Sequence, residues 1–169
     1  MDLTSPVGSL IPSMEGAVLD VLAGTHRALG PAKIAELARR GSRSGISLAL
    51  DRLTEQGLVV AEPTNYGHAY RLNRDHVLAP AVLTAAKGRE EFLRRLTDAC
   101  GSLHPEPVSA ALYGSVARRE SGPESDIDLV IAVDGERLDR LADGWTRQMD
   151  EMSQRVFSWS GSRLETSVV

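Results

Sequence analysis

The 169-residue chain is poor in several features that would assign its class at once. It has a single cysteine, Cys100, so it can form no internal disulfide framework and no thiolate-rich zinc site. A reducing compartment, the cytoplasm, is therefore expected. Aromatic residues make up 4% of the chain, too few for the stacking platforms of single-stranded RNA readers or for an aromatic ligand cage. No run approaches the roughly 18 apolar residues of a membrane span. The opening MDLTSPVGSLIPSMEG has no basic stretch followed by an apolar core, so neither a secretory signal nor membrane association is expected. No internal repeat is visible at periods of about 20–50 residues, which argues against a solenoid.

What remains is an ordinary folded composition, 42% apolar and 25% charged, long enough for one large domain or two small ones. The net charge of −4 is unevenly placed. Residues 1–75 balance eight basic against eight acidic side chains, and residues 76–169 carry eleven against fifteen. A neutral first half lacks the broad basic footprint of a tight DNA binder, although a local patch could still meet phosphates.

Ser13 is a candidate N-cap for a helix over 14–23, whose Val18, Leu19, Val21 and Leu22 form an apolar face before Gly24. Gly30-Pro31 opens a second helix over 31–39, with Ile34, Ala35, Leu37 and Ala38 at helical spacing. After the turn Gly41-Ser42-Arg43, Ile46, Leu50 and Leu53 fall at i, i+4 and i+7 of a third helix that Gly57 ends. Apolar runs on either side of Pro63-Thr64-Asn65-Tyr66-Gly67 then predict a β-hairpin. Three short helices followed by a hairpin, including PAKIAELARRGSRSGISLALDRLTEQGLV, resemble a winged helix-turn-helix across residues 12–74. That resemblance implies contacts to double-stranded DNA from Ser42, Arg43, Ser44 and Ser47 at the start of the third helix, from Arg52 further along it, and from Arg71 on the wing. The plain alternative is that the serines cap the helix and the arginines are solvated.

Residues 75–102 are rich in helix formers and predict one connecting helix, a plausible homodimer surface. Within them Cys100 reads as a small buried apolar residue rather than a nucleophile. Gly101, Pro105 and Pro107 break the helix and begin a second domain over 105–169. Its expected outline is a strand at 108–113, a short helix near 115–119, a strand at 127–133, a long helix at 136–157 and a strand at 163–169. In the long helix Leu138, Leu141, Trp145, Met149, Met152 and Val156 make one apolar stripe, which should lie against a sheet. The fold class is α+β, with a small mixed sheet flanked by helices in the C-terminal half.

Within that half, Gly114-Ser115 falls at the end of a strand and the start of a short helix. Exposed backbone N–H groups and a hydroxyl at such a place can hold phosphate. Ten residues further on, Asp126-Ile127-Asp128 opens a strand, and period-two alternation puts both carboxylates on one face. Paired hard oxygen ligands suit Mg²⁺ or Mn²⁺ bridging a triphosphate. Either dipeptide motif alone is common; together, at this spacing and on strands, they resemble the DNA polymerase β-like nucleotidyltransferase superfamily, in particular its minimal members.

The resemblance implies that Gly114 and Ser115 contact the nucleotide and that Asp126 and Asp128 bind the metal. It also implies a third carboxylate on a later strand, where Glu165 is the candidate, although the family more often has Asp. Arg118 is the candidate for a further phosphate contact, inseparable by sequence from Arg119, with a solvated helix surface as the alternative. The implied activity is transfer of NMP from an NTP, with ATP the expected nucleotide, to an acceptor hydroxyl. Some minimal members modify a partner toxin, which makes a protein acceptor one of the implied partners. A second reading is a transcriptional regulator whose degenerate transferase domain only senses nucleotide or docks a partner.

Overall fold

In the computed structural model, which describes residues 1–39, 41–122, 124–135 and 142–169, buried apolar side chains gather into two separate cores. One core belongs to a unit of residues 5–88, the other to a unit made of residues 1–4 and 89–169.

The first unit runs α1 (Pro6–Leu10), α2 (Met14–Ala23), α3 (Pro31–Ala38), α4 (Arg43–Glu55), β1 (Val59–Thr64), β2 (Gly67–Leu72) and α5 (Ala79–Ala86). The three helices and the hairpin stand in the predicted order. Ser13 does occupy the N-cap position of α2, but its hydroxyl donates to Glu15 Oε2 at 2.7 Å and leaves the helix backbone uncapped by the side chain. Pro31 starts α3, where its missing N–H costs nothing. Helix α4 buries Ile46, Ala49, Leu50 and Leu53, the expected stripe with one alanine added. It is followed by Gly57 at φ +76°, a left-handed conformation that a residue without Cβ adopts freely. Thr64 pairs with Gly67, leaving Asn65 and Tyr66 as a two-residue turn. Leu29 and Tyr70 exchange two backbone hydrogen bonds of 2.8 and 2.9 Å, a bridge onto the hairpin that local patterning does not signal.

The segment expected as one connecting helix over 75–102 is two helices that serve different cores. Ala79 and Val82 of α5 are buried in the first. Phe92, Leu96, Ala99 and Cys100 of α6 (Gly88–Gly101) are buried in the second. The break falls at Lys87-Gly88, where a poor helix former separates the two apolar faces.

The second unit continues with β3 (Ser109–Tyr113), α7 (Gly114–Arg118), β4 (Ile127–Ala132), α8 (Ala142–Ser160) and β5 (Leu164–Val168). Its sheet has the order β3-β4-β5, antiparallel between β3 and β4 and parallel between β4 and β5, the mixed sheet that was expected. Burial alternates along β4, with Ile127, Leu129 and Ile131 inside and Asp128, Val130 and Ala132 partly covered. The buried set packs with Phe92 and Leu96 of α6 and with Trp145, Met152 and Val156 of α8, so helices cover one face of the sheet. Leu138 and Leu141 of the expected stripe, like residues 136–141 of the expected helix, lie outside the described residues.

Leu3, only 2% exposed, belongs to this second core, a contribution from the far end of the chain that sequence patterning did not anticipate. Cys100 is buried, and burial pushes its thiol up, consistent with a packing role.

Truncating a core residue of β4 should therefore loosen the whole second unit. Leu129→Ala is expected to cost about 2–5 kcal/mol. Both tryptophans, Trp145 and Trp159, lie in this unit, so the loss is read as a lower denaturation midpoint in tryptophan fluorescence.

Candidate active site

The face of the sheet opposite the helices carries the carboxylates. Asp128 is in register with Tyr113 of β3 on one side and with Glu165 of β5 on the other. Residues in register share a face, so Tyr113, Asp128 and Glu165 form a row across the three strands. Two positions along β5, Ser167 Oγ shares a 3.3 Å hydrogen bond with Tyr113 Oη, a link that spans β4 on the same face. Asp126, just before β4, has the parity of Asp128 and is exposed. The sequence expectation for these acids concerned type and spacing. The strand register adds Glu165 as the direct neighbour of Asp128.

Gly114 is tied to this row by close approach. Its φ is +67°, and a Cβ there would collide with Asp128 Oδ2 and stand 2.9 Å from Asp128 Cγ. The carboxylate thus lies directly against the bare Cα at the β3–α7 junction. Glycine here answers two demands at once, a left-handed backbone and room for Asp128. Ser115 follows in the first turn of α7, partly covered, and its side chain has no hydrogen-bond partner among the described residues.

The loop from α7 to β4 is held from two sides. Thr4 Oγ1 donates to the Ser121 carbonyl at 2.6 Å, and the Gly122 N–H donates to Ser125 Oγ at 2.9 Å. Arg89 of α6 donates to the Val116 carbonyl at 3.0 Å and so fastens α7. Burial, and after it the charge of Arg119, holds the Arg89 guanidinium below its ordinary pKa. Neither Thr4 nor Arg89 has a sequence signature, because each acts on a loop distant in the chain.

Among the described residues, the side-chain carboxylates of Asp126, Asp128 and Glu165 neither accept a hydrogen bond nor pair with a cation. Nor are three His, Cys, Asp or Glu side chains gathered closely enough there to enclose a metal ion. The donor chemistry nevertheless fits Mg²⁺ or Mn²⁺, since Mg²⁺ ordinarily takes one or two carboxylates and completes its shell with water and substrate phosphate. Arg118 is exposed and its Nε donates to Glu120 Oε2 at 2.9 Å, so a phosphate contact would have to displace that pair.

In the first unit, several residues expected at DNA are already engaged. Ser42 Oγ accepts the Gly45 N–H at 3.1 Å and shares a 2.9 Å hydrogen bond with Ser44 Oγ. Arg52 Nη1 donates to Glu15 Oε1 at 3.0 Å, and Arg71 is paired with Glu62. The Ser13 hydroxyl, the backbone N–H of Glu15 itself and Arg52 together hold the Glu15 carboxyl below the ordinary carboxylate range. Arg43 and Ser47 remain exposed on α4 without a partner among the described residues.

Substituting Gly114 tests the close approach directly. Gly114→Ala is expected to destabilise the second unit by about 1–2 kcal/mol through its left-handed backbone and to swing the Asp128 carboxylate aside. Thermal unfolding reads the first effect, and a crystal structure of the variant, with the Asp128 carboxylate turned away from residue 114, reads the second.

The chain matches no curated protein and no solved structure significantly. A family model does match part of it, over α6, β3, α7, β4 and α8 and ending before β5: residues 93–157 fit the nucleotidyltransferase domain.

Proposed function

We propose that the second unit is a metal-dependent nucleotidyltransferase that moves NMP from an NTP, with ATP the expected donor, to an acceptor hydroxyl. The observation that carries this reading is the row of Asp128 and Glu165 on adjacent strands, with Gly114 closed against Asp128 and Asp126 at the strand's start. The nucleotidyltransferase match over residues 93–157 supports the reaction class.

Gly114 and Ser115 would receive phosphate oxygens at the β3–α7 junction, with Arg118 available once it leaves Glu120. Asp126 and Asp128 would hold Mg²⁺ or Mn²⁺, whose contribution is to neutralise the phosphate charge and orient the α-phosphorus. Glu165, the register partner of Asp128 on β5, would take the proton of the acceptor hydroxyl. The acceptor oxygen forms its bond to the α-phosphorus as the bond to the bridging oxygen breaks, and pyrophosphate leaves in line. A hydroxyl on a partner protein such as a toxin fits the chemistry of the acceptor.

Calorimetric titration of ATP with Mg²⁺ into the wild type and into the Asp126→Asn/Asp128→Asn variant tests the site without knowledge of the acceptor. The wild type should bind, and the double variant should lose binding. Equal binding by both would refute the metal site. Once an acceptor is known, Glu165→Gln should slow transfer by about 10²–10⁴-fold while leaving ATP binding intact.

A second reading, a regulator that binds DNA through the first unit, draws on one observation: Arg43 and Ser47 stay free at the start of α4. Under it, Arg43→Ala lowers affinity for double-stranded DNA and reduces its salt dependence, as measured by electrophoretic shift at several salt concentrations. Unchanged binding would remove this reading.

A further inference from the structure

Two hollows adjoin the start of β4 and β5. One, of about 370 Å³, is lined by Ser125, Asp126, Ser162 and Arg163 among others, and its walls are mostly polar. The second, of about 460 Å³, is mainly apolar and runs along α8 and the beginning of β5, past Gln154 and Leu164. Phe157 and Arg163 line both.

Both side chains are exposed. Phe157 follows directly on Val156, which is fully buried in the core, yet it turns away from that core and is 57% exposed. Leaving an aromatic ring in water forgoes the burial its area would otherwise gain. Arg163 shares a hollow with Asp126 and Glu124 but forms no ion pair among the described residues. Gln154 precedes Phe157 by three residues and therefore sits on the same side of α8.

We propose that Phe157 and Arg163 form a nucleoside-phosphate subsite, with the base against the Phe157 ring in the apolar hollow and the phosphate on the Arg163 guanidinium in the polar one. The identification rests on the nucleotidyl-transfer reading of Asp126 and its neighbours. A nucleotide is itself divided into a flat apolar base and a polyanionic phosphate, as these hollows are divided into an apolar and a polar part. One ring suffices for one base, and stacking tolerates any base. Guanidinium matches phosphate geometry with two parallel donors. The Gln154 amide supplies a donor and an acceptor for the edge of the base. Phosphate at Arg163 would lie beside Asp126, where the metal carboxylates begin. The nucleoside phosphate can come from the NTP being consumed or from the terminal nucleotide of a nucleic-acid acceptor.

Calorimetry on the full chain with Mg²⁺ separates these sources, using ATP, inorganic tripolyphosphate and single-stranded hexa-adenylate as probes. If the NTP is the source, Phe157→Ala weakens ATP binding about tenfold and leaves tripolyphosphate binding unchanged. Phe157→Tyr then restores ATP binding, and Arg163→Ala weakens both ligands. If the acceptor is the source, Phe157→Ala leaves ATP binding unchanged and weakens hexa-adenylate by a similar factor. The proposal is overturned if Phe157→Ala alters neither base-bearing probe, or if the wild type binds neither. Tripolyphosphate binding that survives Asp126→Asn/Asp128→Asn would instead count against the transfer reading, whatever Phe157 does.

Discussion

The period-two alternation of β4 leaves the Asp128 carboxylate only one direction. With Ile127, Leu129 and Ile131 sealed beneath α6 and α8, Asp128 must rise on the open face of the sheet. Everything that makes that face a candidate site follows from this placement. Parallel pairing with β5 delivers Glu165 beside it, and antiparallel pairing with β3 brings Tyr113 and the Gly114 turn to its other side. A slip of one residue in β4 would bury the acid and expose the core, so the apolar packing and the site chemistry enforce the same register.

The site is also supported from outside its own sequence stretch. The α7–β4 loop is fastened by Thr4, and α7 itself by Arg89 of α6. Leu3 anchors the first of these contacts by burying itself in the second core. The carboxylates of Asp126, Asp128 and Glu165, in contrast, have no partner among the described residues. Structural hydrogen bonds are thus spent on the frame, and the oxygens of these three side chains stay unengaged among the described residues.

The first unit divides its polar side chains differently. Much of its cluster of serines and arginines is consumed in building the helices: Ser42 caps α4, and Arg52 ties α4 to α2 through Glu15. Arg71 braces the hairpin across its two strands with Glu62. An exposed ion pair of this kind is worth little in stability. Arg43 is exposed and has no partner among the described residues.

The sequence alone determined whatever is local. Helical spacing in α2, α3 and α4, a hairpin turning within residues 63–67, the alternation of β4 and the Gly-Ser and Asp-x-Asp motifs are all written in neighbouring residues, and the structure carries each of them. Along the connecting segment helix propensity has no marker for a change of core, and only packing separates Val82 from Phe92. The same limit hid the Leu29–Tyr70 bridge, Leu3 in the distant core, and the grip of Thr4 and Arg89 on the site loop. It also hid the exposed Phe157, which belongs to an otherwise regular amphipathic helix. Tertiary structure decided these because each depends on which surfaces meet across long stretches of chain, and contacts of that kind leave no period or spacing for a sequence to display.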